Sequence, residues 1–271
     1  MEVSMQSATR NRGLFPALLK YWRGNRGLSQ LDLSLTADVS ARHVSFMETG
    51  RSAPSPEMVL RLGAALKLPL RAQNEMLVAA GHEPRFDEPD VGGGLPTAID
   101  QALEQMMAQH EPFPLVVMNK RYDVLRTNHG AKRLLGRVLA DPTAIKPPMN
   151  ACKLLFDPMG IRPFVEDWET VAKHLLARMV REALDDPQDE AMTSLIDELT
   201  QFPDVPEDWR RPDFSVSTDP VFSVRMVRGD LRLAFLTTLT VFSAPQNVTL
   251  EELRIESYFP LDETTERSCR A

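Results

Sequence analysis

The sequence has little of what disulfide-rich, zinc-binding or membrane proteins need. Its 271 residues include only two cysteines, Cys152 and Cys269, which lie 117 positions apart and form no Cys-x-x-Cys pair. Neither a disulfide framework nor a zinc ribbon is expected, and a reducing compartment suits such a chain. No run of about 18 apolar residues occurs, and no signal-peptide segment opens the chain. We therefore expect a soluble, cytoplasmic protein with no membrane association.

Catalytic and metal-binding motifs are missing as well. The chain contains no GxSxG, no P-loop and no GxGxxG that opens a helix after a strand. Its five histidines are at least 19 positions apart, so no two of them share a helical turn that could hold a metal ion. Acidic clusters such as Asp185-Asp186 flank a long predicted helix, where carboxylates are commonly solvated. We predict that the protein is not an enzyme and has no cofactor or metal.

What the chain does have is an uneven distribution of charge. Its formal net charge is -7, yet residues 10–85 contain 11 Lys and Arg against six Asp and Glu. The acidic surplus therefore belongs to the rest of the chain. A positively charged N-terminal segment in an acidic protein is typical of a region that faces a polyanion.

The chain divides at a stretch rich in proline, glycine and acidic residues, HEPRFDEPDVGGGLP, residues 82–96. Such a composition is typical of a linker. About five short helical segments precede it, and they predict an all-helical domain at residues 10–81. The segments that follow predict a second domain at residues 97–267, so the whole chain is expected to be a two-domain α+β protein.

The second domain has the pattern of an α+β fold. PLVVMNKRYDVLRTN predicts two short strands, NHGAKRLLG a helix, and residues 165–184 a long helix with apolar positions on one face. Two β-rich runs flank Gly229-Asp230, a strong hairpin signal, and LRIESYFP offers one more strand. We therefore predict a mainly antiparallel sheet of about five strands with flanking helices.

In the first domain, the segment from Ser29 to Gly50 predicts two short capped helices across a tight turn. Ser29 and Asp32 have the spacing of a capping box, and Ser40 can cap the second helix. Asp38 lies in the turn, and Gly50 is a typical residue for the end of a helix. Two such helices across a short turn form a helix-turn-helix.

One local pattern points the other way. Leu31, Leu33 and Leu35 alternate with polar residues, as they would in a strand. A strand there would leave Val44 and Met47, the apolar stripe of the second helix, without a partner. We therefore predict that this segment is helical.

These residues resemble the DNA-binding domain of the xenobiotic-response-element (XRE, Cro/C1-like) regulators. The run RHVSFMETGRSAPS is close to the branch whose members carry an MmyB-like ligand-binding domain. HEPFPLVVMNKRYDVLRTNHGAKRLL, LLFDPMGIRPFVEDWETVA and TLTVFSAPQNVTLEELRIESYFPLDETTE resemble that second domain. The resemblance extends from about Leu14 to about Glu266. It implies a five-helix lambda-repressor-like domain followed by a PAS-like domain, an antiparallel sheet with helices that enclose a cavity.

The resemblance also implies structural roles for residues of the helix-turn-helix. Asp38 stands where glycine is common in the turn, and Asp tolerates the left-handed conformation that such a turn uses. Glu48 is implied to pair internally with Arg23 of the first helix rather than to act at the DNA.

Members of this family place the second helix of the motif in the major groove of double-stranded DNA. The residues implied at the DNA are Gln30, Ser40, Ala41, Arg42, His43, Ser45, Phe46 and Arg51. Arg42 could form two parallel hydrogen bonds to guanine O6 and N7, and Phe46 could contact a thymine methyl. Gln30, Ser40 and Arg51 would contact phosphates and so position the domain. Ala41 would also face bases, whereas His43 and Ser45 would lie at the edge of this surface, and a solvated His43 is equally consistent with the sequence.

The PAS-like domain of this family is implied to bind a small effector. We expect an apolar or amphipathic molecule, with a fatty-acyl compound as one example, that modulates operator binding. Apolar candidates for the lining of its pocket are Val117, Phe156, Trp168, Phe222, Phe235 and Leu239, each of which could equally be a core residue. Arg225 or Arg232 is a candidate anchor for the polar end of the effector.

One helix-turn-helix reads few base pairs, and non-specific binding is weak, with a Kd of about 10⁻⁴ to 10⁻⁶ M. A homodimer on a pseudo-palindromic site is therefore expected.

Two alternatives stay open for the second domain. It could serve only dimerisation or protein recruitment, or it could sense oxidants through Cys152 or Cys269. For Cys152 the sequence favours a buried, inert thiol in a helix, and Cys269 is expected in a mobile C-terminal end.

Overall fold

The computed structural model describes residues 14–91, 93–145, 147–187, 189–210 and 223–271. These residues form two compact units. The first contains the described residues up to Pro89 together with Ala244–Glu251, and the second contains the remainder. A segment distant in sequence therefore completes the first unit.

The first unit is built on five short helices in its described part. They are α1 (Leu14–Asn25), α2 (Gln30–Thr36), α3 (Ala41–Glu48), α4 (Pro56–Ala65) and α5 (Leu70–Ala79). The side chain of Ser29 accepts a hydrogen bond from the N–H of Asp32, whose carboxylate accepts one from the N–H of Ser29, as the capping box predicts. Ser40 caps α3 in the same way, which confirms the helix-turn-helix.

The leucine pattern in α2 shows why this segment is a helix. Leu33 is fully buried, whereas Leu31 and Leu35 are 58% and 72% exposed. A strand would place all three on one face, but in a helix Leu33 points away from its neighbours two residues on either side. Leu33 packs in the core with Val44 and Met47, as predicted.

The first unit also contains part of the connection between the last two strands of the chain, which includes helix α11 (Val248–Glu252). The N–H of Val248 donates to the carbonyl of Asp87 at 2.9 Å, and the hydroxyl of Thr249 donates to the carbonyl of Pro89 at 2.7 Å. Glu251 accepts a 2.6 Å hydrogen bond from the N–H of Leu70, the first residue of α5. The segment is thus held by hydrogen bonds at three points.

Part of the segment expected to be a linker is ordered against α5. The Oδ1 of Asn74 accepts hydrogen bonds from the N–H groups of Arg85 and Phe86 at 2.9 and 3.0 Å. Arg71 forms an ion pair with Glu88. Residues 85–88 therefore extend the first unit beyond its last helix.

The second unit is an α+β fold around a five-stranded antiparallel sheet. Its strands are β1 (Leu115–Met118), β2 (Val124–Thr127), β3 (Ser223–Arg228), β4 (Leu231–Thr240) and β5 (Arg254–Pro260), in the spatial order β2-β1-β5-β4-β3. Its helices are α6 (Thr97–Gln109), α7 (His129–Val138), α8 (Ala151–Phe156), α9 (Trp168–Asp185), α10 (Glu190–Leu199) and α12 (Glu263–Arg270), with 3-10 turns at Pro142–Ala144 and Arg162–Phe164. This arrangement confirms the predicted PAS-like sheet with flanking helices. Within the described ranges, no helix combines the length and apolar character needed to cross a membrane.

The core of the second unit joins the sheet to the long helix α9. Trp168, Leu176 and Met179 of α9 are buried with Phe156 of α8 and Phe235 of β4. The apolar stripe predicted on this helix is the face that enters the core. Because four helices lie in the described part of the connection between β2 and β3, this connection can cover one face of the sheet.

Gly130 lies where α7 packs closely against the backbone of Pro112 and Phe113. A Cβ on Gly130 would meet the backbone carbonyl oxygens of Pro112 and Phe113, the latter at 2.7 Å. Because the backbone cannot move aside as a side chain can, we expect Gly130→Ala to destabilise the second unit by about 1–3 kcal/mol. Gly136 provides a matched control in the same helix. Apart from its chain neighbours and the backbone of α7, a Cβ added to Gly136 would meet no atom of the described ranges within 4 Å.

Gly136→Ala should leave stability unchanged or raise it by about 0.5–1 kcal/mol, because alanine loses less backbone entropy in a helix. Thermal melting of the two variants beside the wild type measures the difference. Equal melting temperatures for the two variants would contradict the close approach at Gly130.

Candidate DNA interface and effector cavity

The aromatic ring of Phe46 on helix α3 lies near two guanidinium groups. The guanidinium of Arg42 lies 5.1 Å from the centre of the Phe46 ring, and that of Arg51 lies 5.8 Å from it. Both arginines are exposed, whereas Phe46 is half-buried. Arg42 makes no ion pair or hydrogen bond with any described residue, so its donors are open to an external partner.

The N-terminal end of α3 is organised by local hydrogen bonds. The side chain of Ser40 accepts from the N–H of His43 at 3.1 Å, which leaves its hydroxyl hydrogen available to an acceptor. The Nε2 of His43 lies 3.4 Å from the hydroxyl of Ser52, and His43 and Ser45 are half-buried. Asp38 in the turn has φ 52°, the left-handed conformation expected there. Ala41 is half-buried at the start of the helix.

Glu48 at the end of α3 is the centre of an internal polar cluster. Arg23 donates to its two carboxylate oxygens at 2.6 and 3.0 Å, which confirms the implied ion pair. Only 3% of the Glu48 side chain is exposed. Burial raises the pKa of Glu48, but hydrogen bonds from Arg23 and Gln30 and the charge of Arg23 outweigh burial, so its pKa lies below the ordinary value.

Gln30 belongs to this cluster. One N–H of its side-chain amide donates to Glu48 at 2.7 Å, and the second N–H is left for the phosphate contact that the resemblance implies. The sequence could not indicate this, because Gln30 and Glu48 are 18 positions apart and meet only through the packing of α2 against α3.

The second unit contains a cavity of about 140 Å³. Most of its lining is apolar and comes from β1, β3 and the helices between β2 and β3. The apolar lining includes Val116, Leu134, Leu135, Met149, Leu154, Leu155, Ile161, Leu175, Val224 and Met226. Thr127 also lines it, as do four polar side chains that have hydrogen-bond partners, namely Tyr122, Arg178, Glu256 and Tyr258. The cavity is therefore amphipathic.

The four polar side chains form two hydrogen-bonded pairs. The Nε of Arg178 donates to the hydroxyl of Tyr122 at 3.2 Å, and that hydroxyl donates to Glu182 at 2.9 Å. The hydroxyl of Tyr258 donates to Glu256 at 3.2 Å. Burial raises the pKa of Glu256, and the charge of Arg178 opposes this change. Burial also raises the pKa values of both tyrosines, which keeps their hydroxyls protonated.

Among the described residues, those that the sequence proposed for the pocket do not line this cavity. Val117 pairs with Ile255, and both are buried on the face of the sheet opposite to the paired Val116 and Glu256. Val116, not Val117, lines this cavity, and the sequence cannot distinguish the two valines because they are equally apolar. Leu239 pairs with Glu256 but is 39% exposed and lies away from the cavity.

Three further candidates are core residues. Phe156, Trp168 and Phe235 are buried in the main cluster, where the rings of Phe156 and Trp168 meet edge to face with centroids 4.8 Å apart. Arg225 and Arg232 are exposed and so do not serve as the anchor inside the cavity. Phe222 lies outside the described residues.

The cationic group that does enter the cavity is Arg178. A signal for it was present in the sequence, since Arg178 follows Leu175 by three positions and precedes Met179 within the apolar stripe of α9. Glu256 gave a similar signal, because a carboxylate stands between the apolar Ile255 and the aromatic Tyr258 of a central strand. A charge inside an apolar pattern indicates a buried functional group more directly than another apolar residue does.

The two cysteines have the environments of unreactive thiols. Cys152 in α8 is buried, and burial raises its pKa well above the ordinary value, as expected for an inert thiol. Cys269 lies in α12 rather than in a mobile end, and burial raises its pKa too. Because the thiolate is the reactive form, these shifts argue against an oxidant sensor.

The two units have the architecture of a helix-turn-helix transcription regulator joined to a ligand-binding domain. The family described as helix-turn-helix matches residues 19–72, and the family described as MmyB-like transcription regulator ligand binding domain matches residues 99–271. The second match covers more than half of the chain, and the chain belongs to this MmyB-like family. The chain thus joins a helix-turn-helix region to the ligand-binding domain of a transcription-regulator family, and neither family is a family of enzymes.

Two other comparisons add little. A search of curated proteins gives no match. Among solved structures, the chain is similar to one described as an RNA-binding Light-Oxygen-Voltage receptor, at 14% identity and a TM-score of 0.28. The match covers 99% of this chain and 64% of the receptor chain, so this chain spans less than two thirds of that protein.

Proposed function

We propose that this regulator binds operator DNA in the cytoplasm as a homodimer and that a small amphipathic effector in the cavity modulates the binding. Residues 10–81 would form the DNA-binding domain, residues 82–96 the linker and residues 97–267 the effector domain. The observation that carries the proposal is the open guanidinium of Arg42 on the helix that the family places in the major groove. The cavity favours an effector over a second domain that serves only dimerisation, since the latter needs no internal space.

The surface of α3 suits base recognition by one arginine and phosphate binding by another. Arg42 lies in the first turn of α3, and the N-terminal residues of a recognition helix are those that meet base edges. The ring of Phe46 holds its guanidinium in place, which lowers the entropy lost when Arg42 binds a guanine. Arg51 lies beyond the C-terminal end of α3, where a cation contacts the backbone of the duplex.

Arg42→Ala should weaken binding to the preferred operator by about 1–3 kcal/mol, or roughly 5- to 150-fold, and should relax selection at one base pair. Arg51→Ala is the matched control, because it should weaken binding to all sequences alike and reduce the salt slope by about 1. Duplexes selected from a random pool by the wild type, titrated by fluorescence anisotropy at several salt concentrations, measure both effects. Unchanged base selection by Arg42→Ala would rule out the proposed readout.

An effector can change DNA affinity only if it binds two arrangements of the protein with different affinity. The chain offers a direct path for such a change. Glu256 and Tyr258 line the cavity from β5, and Glu251, five residues before Glu256, accepts the hydrogen bond from Leu70 in the first unit. We infer that the connection between β4 and β5 carries the effect of the ligand to the DNA-binding unit.

A further inference from the structure

Arg178 and Glu256, side chains of opposite charge, line the same amphipathic cavity without forming an ion pair with each other. The terminal N–H groups of Arg178 make no hydrogen bond with any residue in the described part of the chain, since only its Nε is used, toward Tyr122. Glu256 accepts a hydrogen bond from Tyr258 and has no cation within ion-pair distance among the described residues. Both side chains nevertheless line the same cavity.

Burying Arg178 and Glu256 without ion-pair partners costs free energy unless a ligand supplies those partners. A charge that is removed from water needs a partner with opposite charge and hydrogen bonds to match. Direct contact between Arg178 and Glu256 would supply this partner, but the two groups form no hydrogen bond or ion pair with each other, and each keeps hydrogen-bonding capacity that a ligand could use. A ligand with one charge would satisfy one of the groups and bring a like charge close to the other.

We infer that the cavity binds a small zwitterion, an α-amino acid with an apolar side chain, whose carboxylate binds Arg178 and whose ammonium group binds Glu256. This inference rests on the proposed effector role of the cavity and names the ligand class. The net charge of the two groups is zero, which matches a zwitterion and not a fatty acid. Arg178 offers a planar fork of N–H donors, the geometry that binds a carboxylate through two hydrogen bonds.

The volume of the cavity limits the apolar part of the ligand. A dry cavity of about 150 Å³ accommodates benzene, and this cavity has about 140 Å³. An aliphatic side chain of about four carbons fits such a space, whereas a long acyl chain does not. Val116, Leu175 and Val224 provide the apolar surface for it.

Three probes that differ by one charged group at a time test the inference on the full-length protein by isothermal titration calorimetry. L-norleucine carries both groups, hexanoate lacks the ammonium group, and pentylamine lacks the carboxylate. We expect L-norleucine to bind at least tenfold more tightly than either of the other two. Glu256→Gln should remove the preference over hexanoate, and Arg178→Met should remove the preference over pentylamine.

Arg178→Lys keeps the positive charge and should keep part of the preference for L-norleucine over pentylamine. This variant separates recognition of the carboxylate from a general loss of structure. Arg225→Gln, on the exposed side of β3, should bind all three probes as the wild type does. Thermal melting of each variant checks that it is folded. If Glu256→Gln has a lowered melting temperature, the ratio of its affinities for L-norleucine and hexanoate still measures the preference for L-norleucine, because both probes bind the same variant.

Tighter binding of hexanoate than of L-norleucine would overturn the zwitterion but leave an effector cavity for monocarboxylic acids. Preference ratios that do not change in Glu256→Gln and Arg178→Met would also overturn it. If none of the three probes binds the wild type, the zwitterion is excluded and the proposed effector role of the cavity loses its support, while base selection by Arg42 remains a separate test of DNA binding.

Discussion

Replacing Arg23 by alanine should destabilise the DNA-binding unit by about 3–5 kcal/mol, because the change leaves the carboxylate of Glu48 buried without its cation. Arg23 donates two hydrogen bonds to Glu48 and a third, at 2.7 Å, to the carbonyl of Leu28. Gln30 would remain as a donor to Glu48, but a neutral amide cannot replace the charge. Hydrogen exchange of the amides in α1 to α5 measures the loss in this unit.

The double variant Arg23→Met/Glu48→Leu provides the control. Removing both charges and filling the space with apolar side chains is often neutral or stabilising, so the double variant should recover most of the stability that Arg23→Ala loses. If the double variant is as unstable as Arg23→Ala, then Arg23 stabilises the contact between α1 and α3 through the packing of its long side chain and not through its charge.

The effect of Arg23→Ala should depend on pH. The lowered pKa of Glu48 means that the wild-type pair contributes stability above the pKa of an unfolded glutamate and loses it as the pH falls through the folded value. In Arg23→Ala, burial without the cation raises the pKa of Glu48 instead, so protonation relieves the cost. The stability difference between wild type and variant should therefore shrink as the pH falls from 7 toward about 4. A difference that is constant over this range would contradict an electrostatic origin.

The predictions from sequence succeeded where the signals are local. Ser29 and Ser40 act as caps because a cap needs only the three residues that follow it, and Gly229 has the positive φ that the hairpin signal requires. The five strands and the long helix follow from periodicity in the same way. Each of these features is decided within about one turn or one hairpin, so neighbouring residues suffice to predict it.

The cavity could not be predicted in this way, because it depends on which face of a strand is turned toward which helix. Val116 and Val117 are chemically alike, and only the pairing of β1 with β5 turns Val116 toward the cavity together with Glu256. The roles of Arg178 and Gln30 depend on partners on other elements. Charged residues inside apolar patterns, such as Arg178 and Glu256, would have been better candidates than aromatic residues, which mostly fill the core.

The proposed coupling between effector and DNA binding depends on the connection between β4 and β5. Glu251 belongs to the first unit, and the next residue, Glu252, belongs to the second, where it forms an ion pair with Lys120 at 3.4 Å. Lys120 also pairs with Asp186 and Asp189 at 3.1 and 2.9 Å. Burial lowers the pKa of Lys120, but the three carboxylates outweigh burial, so the lysine stays charged and anchors this point.

Glu251, in the first unit, caps the N-terminus of α5. Pro69 precedes α5 and offers no side-chain cap, so the carboxylate of Glu251 supplies the acceptor for the N–H of Leu70. A carboxylate at the N-terminus of a helix also interacts favourably with the helix dipole. A shift of β5 that accompanies ligand binding would act on α5 through this hydrogen bond.

Glu251→Ala should therefore uncouple the effector from the DNA. Allosteric coupling commonly amounts to about 1–3 kcal/mol, which is a change of roughly 5- to 150-fold in operator affinity on ligand binding, and in Glu251→Ala this change should fall close to onefold. Cavity binding itself should stay within about twofold, because Glu251 does not line the cavity. Anisotropy titrations of the operator with and without saturating L-norleucine measure the coupling.

Glu83→Ala is the matched control, since Glu83 is an exposed glutamate of the same unit and its loss should leave the coupling intact. A measurement without any ligand gives a second readout. Loss of a charge-assisted hydrogen bond of about 1.5–3 kcal/mol should speed exchange of the Leu70 amide by at least tenfold in Glu251→Ala and not in Glu83→Ala. Faster exchange with unchanged coupling would mean that α5 is held by Glu251 but that the ligand reaches the DNA-binding unit by another route.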